Sequence, residues 1–160
     1  MHSAPRTLTL ADADATCDLA HRLAPRLKPG DTILLDGPIG AGKTHFARCM
    51  IQHLLDTPED IPSPTFTLVQ TYDSASGEVW HADLYRLGDP SEVIELGLAD
   101  AFEAAICLVE WPDRLGPLAP SSALHLSLQP EGTGDLRTAH LTGNTTRWQE
   151  LLDGLTLEHA

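Results

Sequence analysis

Residues 37–44 read GPIGAGKT, the spacing G-x-x-x-x-G-K-[ST] of a loop that cradles phosphate groups. Such a loop works between a buried strand and the start of a helix, because the helix amides and dipole complete the cradle. Both flanks are present. TILLD, from Thr32 to Asp36, is a short apolar run suited to a buried strand. HFARCMIQHLL follows, with Phe46, Ala47, Met50, Ile51 and Leu54 on one helical face. The glycines let successive amides of Ile39, Gly40, Ala41, Gly42, Lys43 and Thr44 face the β- and γ-phosphates of a nucleotide. Lys43 adds a full positive charge to the same oxygens, and Thr44 offers a hydroxyl to Mg2+.

The rest of the chain fits around this unit. ADADATCDLAHRLAPRL predicts a helix capped by Asp12 or Asp14, with Leu19, Ala20, Leu23 and Leu27 at helical spacing and an end or bend at Pro25. FTLVQTYD and EVWHADL flank SASG as a hairpin. In DPSEVIELG, Asp89 is the N-cap, Pro90 the first helical residue, Glu92 the capping-box partner and Gly97 the stop. AAICLVEW is a continuous apolar run, as in a strand buried inside a sheet. WPDRLGPLAP reads as loop. ALHLSLQ and LRTAHLTG form a hairpin around PEGTG, and Thr146 to Leu155 a last amphipathic helix. These elements predict a single α/β domain over residues 1–160, a P-loop NTPase-like central mixed β-sheet with helices on both faces.

Charge narrows the partners. Ten Lys and Arg against 23 Asp and Glu leave a net charge of −13. That surface repels a polyanion, so any dealing with RNA is expected to run through another protein, although acidity also serves solubility alone. No stretch resembles a signal peptide or membrane span, which predicts a cytoplasmic protein without membrane contact. Cys17, Cys49 and Cys107 are odd in number and far apart, with no C-x-x-C. They read as reduced thiols, not a disulfide framework or zinc knuckle.

Mg2+ beside a triphosphate takes one or two carboxylates and water. Glu110 ends the run Ile106-Cys107-Leu108-Val109, at the strand edge where ligands sit in open α/β sheets. Asp83 ends VWHAD, and period-two alternation puts His81 on its face. Asp83 also reads as a strand-end residue, and His81 as a structural hydrogen-bonding histidine. IPSPTF is stiffened by Pro62 and Pro64, so it reads either as a loop or as a switch presenting Thr65 to the nucleotide.

GPIGAGKT, SPTFTLV, HADLYRL and CLVEWPDR, in this order and spacing, resemble the TsaE (YjeE) family of bacterial P-loop ATPases from about the first helix to the loop after Trp111. The resemblance implies a weak Mg-dependent ATPase subunit that supports formation of threonylcarbamoyladenosine beside the tRNA anticodon. It implies ATP and Mg2+ as cofactors and the TsaB–TsaD pair as partner, with tRNA contacted only through that pair. By position, Ile39 to Thr44 hold the phosphates and Thr44 and Glu110 the metal. Lys43, Asp83 and Glu110 form the catalytic set, with Asp83 acting through water. Ser63 to Phe66 resemble a first switch, VIELG a second, and Trp111 is expected beside the nucleotide. The first helix start and the loop near Glu131 are expected toward the base and sugar, with no residue assigned. Pro38-Ile39, His45 and Ala82 depart from the family pattern, where Asp-Leu, a hydroxyl residue and an aromatic are usual.

Other readings of the loop predict different features. A small-molecule kinase needs cations around the moving phosphoryl group, yet only Arg86 and Arg114 lie between Arg48 and Arg137. A GTPase usually carries N-K-x-D, whereas the only asparagine, Asn144, precedes two threonines. A nucleotide-gated scaffold with little hydrolysis shares every motif above.

Overall fold

The computed structural model describes residues 6–55, 61, 68–89, 91–132 and 134–159, with side chains of the last helix described to Leu155. In chain order these form β1 (Arg6–Leu10), α1 (Ala13–Leu23), β2 (Thr32–Asp36), α2 (Lys43–Leu54), β3 (Val69–Ser74), β4 (Gly77–Asp83), α3 (Ser91–Glu95), α4 (Leu98–Ala104), β5 (Ile106–Glu110), β6 (Leu124–Pro130), β7 (Arg137–Thr142) and α5 (Thr146–His159).

The strands make one mixed seven-stranded sheet in the order β1-β7-β6-β2-β5-β4-β3. Its centre is parallel: β2 pairs with β5 and β6, and β5 with β4. Antiparallel pairs flank it, β3 with β4 on one side and β7 with β6 and β1 on the other. Parallel strands covered on both faces require apolar side chains in both directions, which TILLD and ICLVE supply. Ile33, Leu35 and Leu108 pack with Leu19 of α1, Phe46 and Ile51 of α2 and Trp148 of α5. Leu34, Cys107 and Val109 point the opposite way, against Val93 of α3 and Leu98 of α4. The helices therefore lie on both faces, as the sequence predicts.

Local signals set many boundaries. Asp12 accepts the Ala15 amide at 2.9 Å, a cap contributing about 1 kcal/mol. Pro25 lies in a 3-10 turn, Ala24–Arg26, directly after α1. β2 occupies Thr32–Asp36 as expected, and the five apolar residues of the α2 face are buried. Asp89 caps α3 by accepting the Ser91 amide at 2.9 Å, and Gly97, at φ 85°, separates α3 from α4. Pro90 lies outside the described residues.

Other expectations need correction. The first hairpin turns more tightly than SASG suggests, with strands ending at Ser74 and resuming at Gly77, where the Ser74 hydroxyl donates to the Gly77 carbonyl at 2.7 Å. Leu68 stands before β3 at φ 64°, while Phe66 and Thr67 lie outside the described residues. β1 and α4 went unread: RTLTL is a half-exposed edge and LADAFEA barely two turns, so each gains its structure from neighbours. Pro112–Leu118 is 3-10 turn instead of plain loop, and α5 runs past Leu155 to His159.

The thiols are the main departure. Cys17 and Cys49 are disulfide-bonded, leaving Cys107 free and buried. Spacing in the sequence hides the pair because the cysteines are 32 residues apart; side-by-side packing of α1 and α2 brings their Cα atoms to 5.3 Å.

Candidate nucleotide site

The loop after β2 enters α2 through two strained turns that only glycine tolerates. Gly37 has φ 140°, and a Cβ there would overlap the carbonyl oxygen of Leu128. Gly42, at φ 98°, is the helix N-cap. The first intrahelical bond runs from the Phe46 amide to the Gly42 carbonyl at 2.9 Å. The amides of Lys43, Thr44 and His45 thus precede any helical acceptor and stand at the positive end of the helix dipole. Ala41 differs from the expected inward fan, since its amide donates to Pro38 within the loop at 3.1 Å.

Lys43 is 4 % exposed, with its ammonium donating to the carbonyls of Gly37 and Pro38 and lying 3.6 Å from the Trp111 ring centre. Burial lowers its pKa below the usual lysine value, partly offset by the carboxylates of Glu110, Asp36, Asp83 and Asp113. Trp111 reaches this position through a left-handed backbone, φ 59°, directly after β5. Tyr85 closes the far side, its ring 5.0 Å from that of Trp111.

The carboxylates come from adjacent parallel strands. Asp83 and Glu110 are register partners at the ends of β4 and β5, so both side chains leave the same sheet face. Glu110 is 2 % exposed and held at both oxygens: Oε1 accepts the Thr44 hydroxyl at 2.7 Å, and Oε2 lies 2.7 Å from His81 Nε2. His81 is fully buried, and its Nδ1 has no hydrogen-bond partner. Asp83, half-buried, accepts the Tyr85 amide at 3.1 Å. Its pKa is raised, first by desolvation and then by Glu110, against the lowering effect of that amide.

Ile39, Gly40, Ala41, Gly42, Lys43, Thr44, Asp83 and Glu110 all line one cleft of about 470 Å³, joined by His45, Tyr85, Arg86 and Trp111. The residues expected to hold phosphate and metal and the three of the catalytic set are therefore gathered in one place. Ile39 is 74 % exposed at the loop tip. Thr44 and Glu110 bring a hydroxyl and a carboxylate oxygen together, the donor set Mg2+ accepts when phosphates and water complete its shell. A smaller adjoining cavity of about 190 Å³ is lined by Ala13 and Thr16 of α1, Gly42, His45, Asp135 and Arg137. That places the start of the first helix and the hairpin beyond Glu131 around the loop. Ser63 to Phe66 lie outside the described residues, and VIELG contributes no lining residue to either cavity.

Arg137 was missed. Its Nε donates to Ala41 O at 3.0 Å and Nη2 to Gly40 O at 2.9 Å, while Nη1 donates to the carbonyls of Gly134 and Leu136. One guanidinium thus clamps the glycine loop to the β6–β7 hairpin. No local signal marks it, because its loop partners are 96 and 97 residues away.

Comparisons with known proteins identify the family. A family model described as threonylcarbamoyl adenosine biosynthesis protein TsaE matches residues 10–139. A tRNA threonylcarbamoyladenosine biosynthesis protein TsaE of Rickettsia felis is 40 % identical over 122 residues, 76 % of this chain and 71 % of that protein. The Bacillus subtilis protein of the same name is 33 % identical over 144 residues, 89 % of each. The crystal structure of Bacillus subtilis YdiB superposes with a TM-score of 0.80 at 25 % identity, covering 100 % of this chain and 99 % of that one. With the match spanning most of the chain, and loop, carboxylates and tryptophan meeting in one cleft, the chain belongs to the TsaE family.

Proposed function

We propose that this chain is a weak Mg2+-dependent ATPase, acting in the cytoplasm with a TsaB–TsaD-like complex to support threonylcarbamoyladenosine modification of tRNA. The observation that carries the reading is the meeting of Thr44 and Glu110 at 2.7 Å, beside the loop amides and the Lys43 ammonium. The amides of Ile39, Gly40, Gly42, Lys43 and Thr44 and the Lys43 ammonium hold the phosphates, with the Ala41 amide turned to Pro38 inside the loop. Thr44 and Glu110 hold the metal, and His81 keeps Glu110 in place. Mg2+, when bound, neutralises phosphate oxygens as charge builds on them. Asp83, raised in pKa beside Glu110, orients water at the rim and takes a proton from it.

Family membership supports the pathway. The net charge of −13 supports indirect contact with tRNA, and no helix among the described residues is long and apolar enough to cross a membrane. The test is co-purification with the TsaB–TsaD pair, then tRNA modification with and without ATP. Modification that proceeds equally without this chain or without ATP would overturn the proposal. Rapid phosphorylation of a small-molecule acceptor would replace it with a kinase.

A further inference from the structure

The seam between α1 and α2, beside the cleft, carries chemistry that nucleotide binding does not use. Cys17 and Cys49 join α1 to α2, and both are only partly buried, so small solutes reach them. Each has an imidazole one helical turn away: His21 Nε2 lies 3.4 Å from Cys17 Sγ, and His45 Nε2 lies 3.8 Å from Cys49 Sγ. The His21 and His53 rings stack alongside at 4.7 Å. His21, within reach of the Cys17 sulfur, can accept its thiol proton and leave the thiolate, the species that attacks disulfides. Cys107 shows the contrast. It is fully buried, burial pushes its pKa up to about 12, and its thiol donates to the Ala105 carbonyl.

His45 connects this cluster to the nucleotide loop. Besides approaching Cys49, its Nε2 lies 3.0 Å from the Ala13 carbonyl, and His45 lines both cavities. Ala13 and Thr16, on the same helix as Cys17, form the wall facing Gly42 and His45. A bond between Cys17 and Cys49 therefore fixes the spacing of two walls that flank the loop.

We propose that Cys17 and Cys49 form a reversible thiol–disulfide site, exchanging with low-molecular-weight thiols and disulfides, whose closed form holds nucleotide more tightly. The coupling rests on the nucleotide reading above; the exchange chemistry does not. In the closing direction, the Cys17 thiolate attacks a disulfide RSSR, forming Cys17–S–S–R and releasing one thiolate. The Cys49 thiolate then attacks Cys17 Sγ and displaces the second. Two electrons pass to RSSR, which leaves as two RSH after taking up the two protons given up by the cysteines. Opening is the reverse, driven by excess RSH.

The test equilibrates the full chain in buffers of set reduced-to-oxidised glutathione ratio. Alkylation and intact mass then count the free thiols, and calorimetry measures binding of AMP-PNP with Mg2+ to each form. The expected result is complete, reversible closure with Cys107 unmodified, and affinity at least about fivefold higher in the closed form. By reciprocity the nucleotide should make the disulfide harder to open by the same factor. Cys17→Ser and Cys49→Ser should each bind like the reduced wild type and ignore oxidant. Equal affinity of the two forms overturns the coupling, and irreversible closure or uptake of one Zn2+ per reduced chain in its place overturns the exchange site. Binding by neither form, with exchange intact, instead overturns the nucleotide reading and with it the coupling.

Discussion

The Thr44 hydroxyl donates to Glu110 Oε1 at 2.7 Å, joining the first turn of α2 to the end of β5 across 66 residues of chain. The contact exists because β5 lies beside β2 in parallel register, with Leu35 opposite Glu110, so the strand edge meets the helix that β2 feeds. Two oxygens with opposite hydrogen-bonding roles thereby face the cleft from different directions.

Glu110 carries two separable duties. Glu110→Gln keeps an acceptor for Thr44 but removes the charge, so AMP-PNP binding without metal should change less than about threefold. Mg2+-dependent phosphate release with partners present should fall about 100-fold or more. Glu110→Ala should also lower stability by about 2–3 kcal/mol, because buried His81 then loses its Nε2 partner as well. Hydrolysis at the wild-type rate in the Gln variant would remove Glu110 from the metal site.

Lys43→Ala removes the one full positive charge set within the loop. Calorimetry should show AMP-PNP affinity reduced by about 10- to 100-fold, the loss of charge-assisted hydrogen bonds to phosphate. Retention of affinity within threefold would show that the loop amides hold the phosphates unaided.

Asp83 gives a pH-dependent prediction whose sign follows from its raised pKa. A carboxyl with a folded pKa above its unfolded value is not penalised below the unfolded pKa, near 4; above the folded value its ionisation costs stability in full. Asp83→Asn should therefore raise the unfolding midpoint at pH 7 by about 1–3 °C, with the gain vanishing as pH falls below about 4. A midpoint unchanged at pH 7, or a gain that grows on acidification, would contradict the assigned cause.

Arg137 can be tested by a conservative exchange. Arg137→Lys keeps the charge but cannot span the carbonyls of Gly40, Ala41, Gly134 and Leu136 together. It should loosen the loop and weaken AMP-PNP binding by about 5- to 30-fold, a cost of about 1–2 kcal/mol, with circular dichroism unchanged. Wild-type affinity in the Lys variant would mean that the loop holds its shape without the fork.

Much of this architecture was legible because it is written locally. Gly37 to Thr44 carry the spacing of a phosphate loop in their residue types, and β2 and the apolar face of α2 follow from runs and periodicity. Asp12 and Gly97 mark a start and a stop by their caps. His81 and Asp83 share a face by alternation, and that face meets Glu110. The strand at Arg6–Leu10 escaped notice, since an exposed edge alternating Leu with Thr is settled only by pairing to β7.

By itself the sequence determined which groups this protein brings to the proposed site: a glycine loop, a lysine, a hydroxyl and two strand-end carboxylates. Tertiary structure decided which of them touch, and added partners that no spacing reveals. Arg137 reaches the loop, and Cys17 reaches Cys49, only after sheet order and helix packing have placed them. The physical reason is range. Caps, turns and periodicity act over a few residues along the chain, whereas side chains bond across a few ångströms of space, whatever length of chain lies between them.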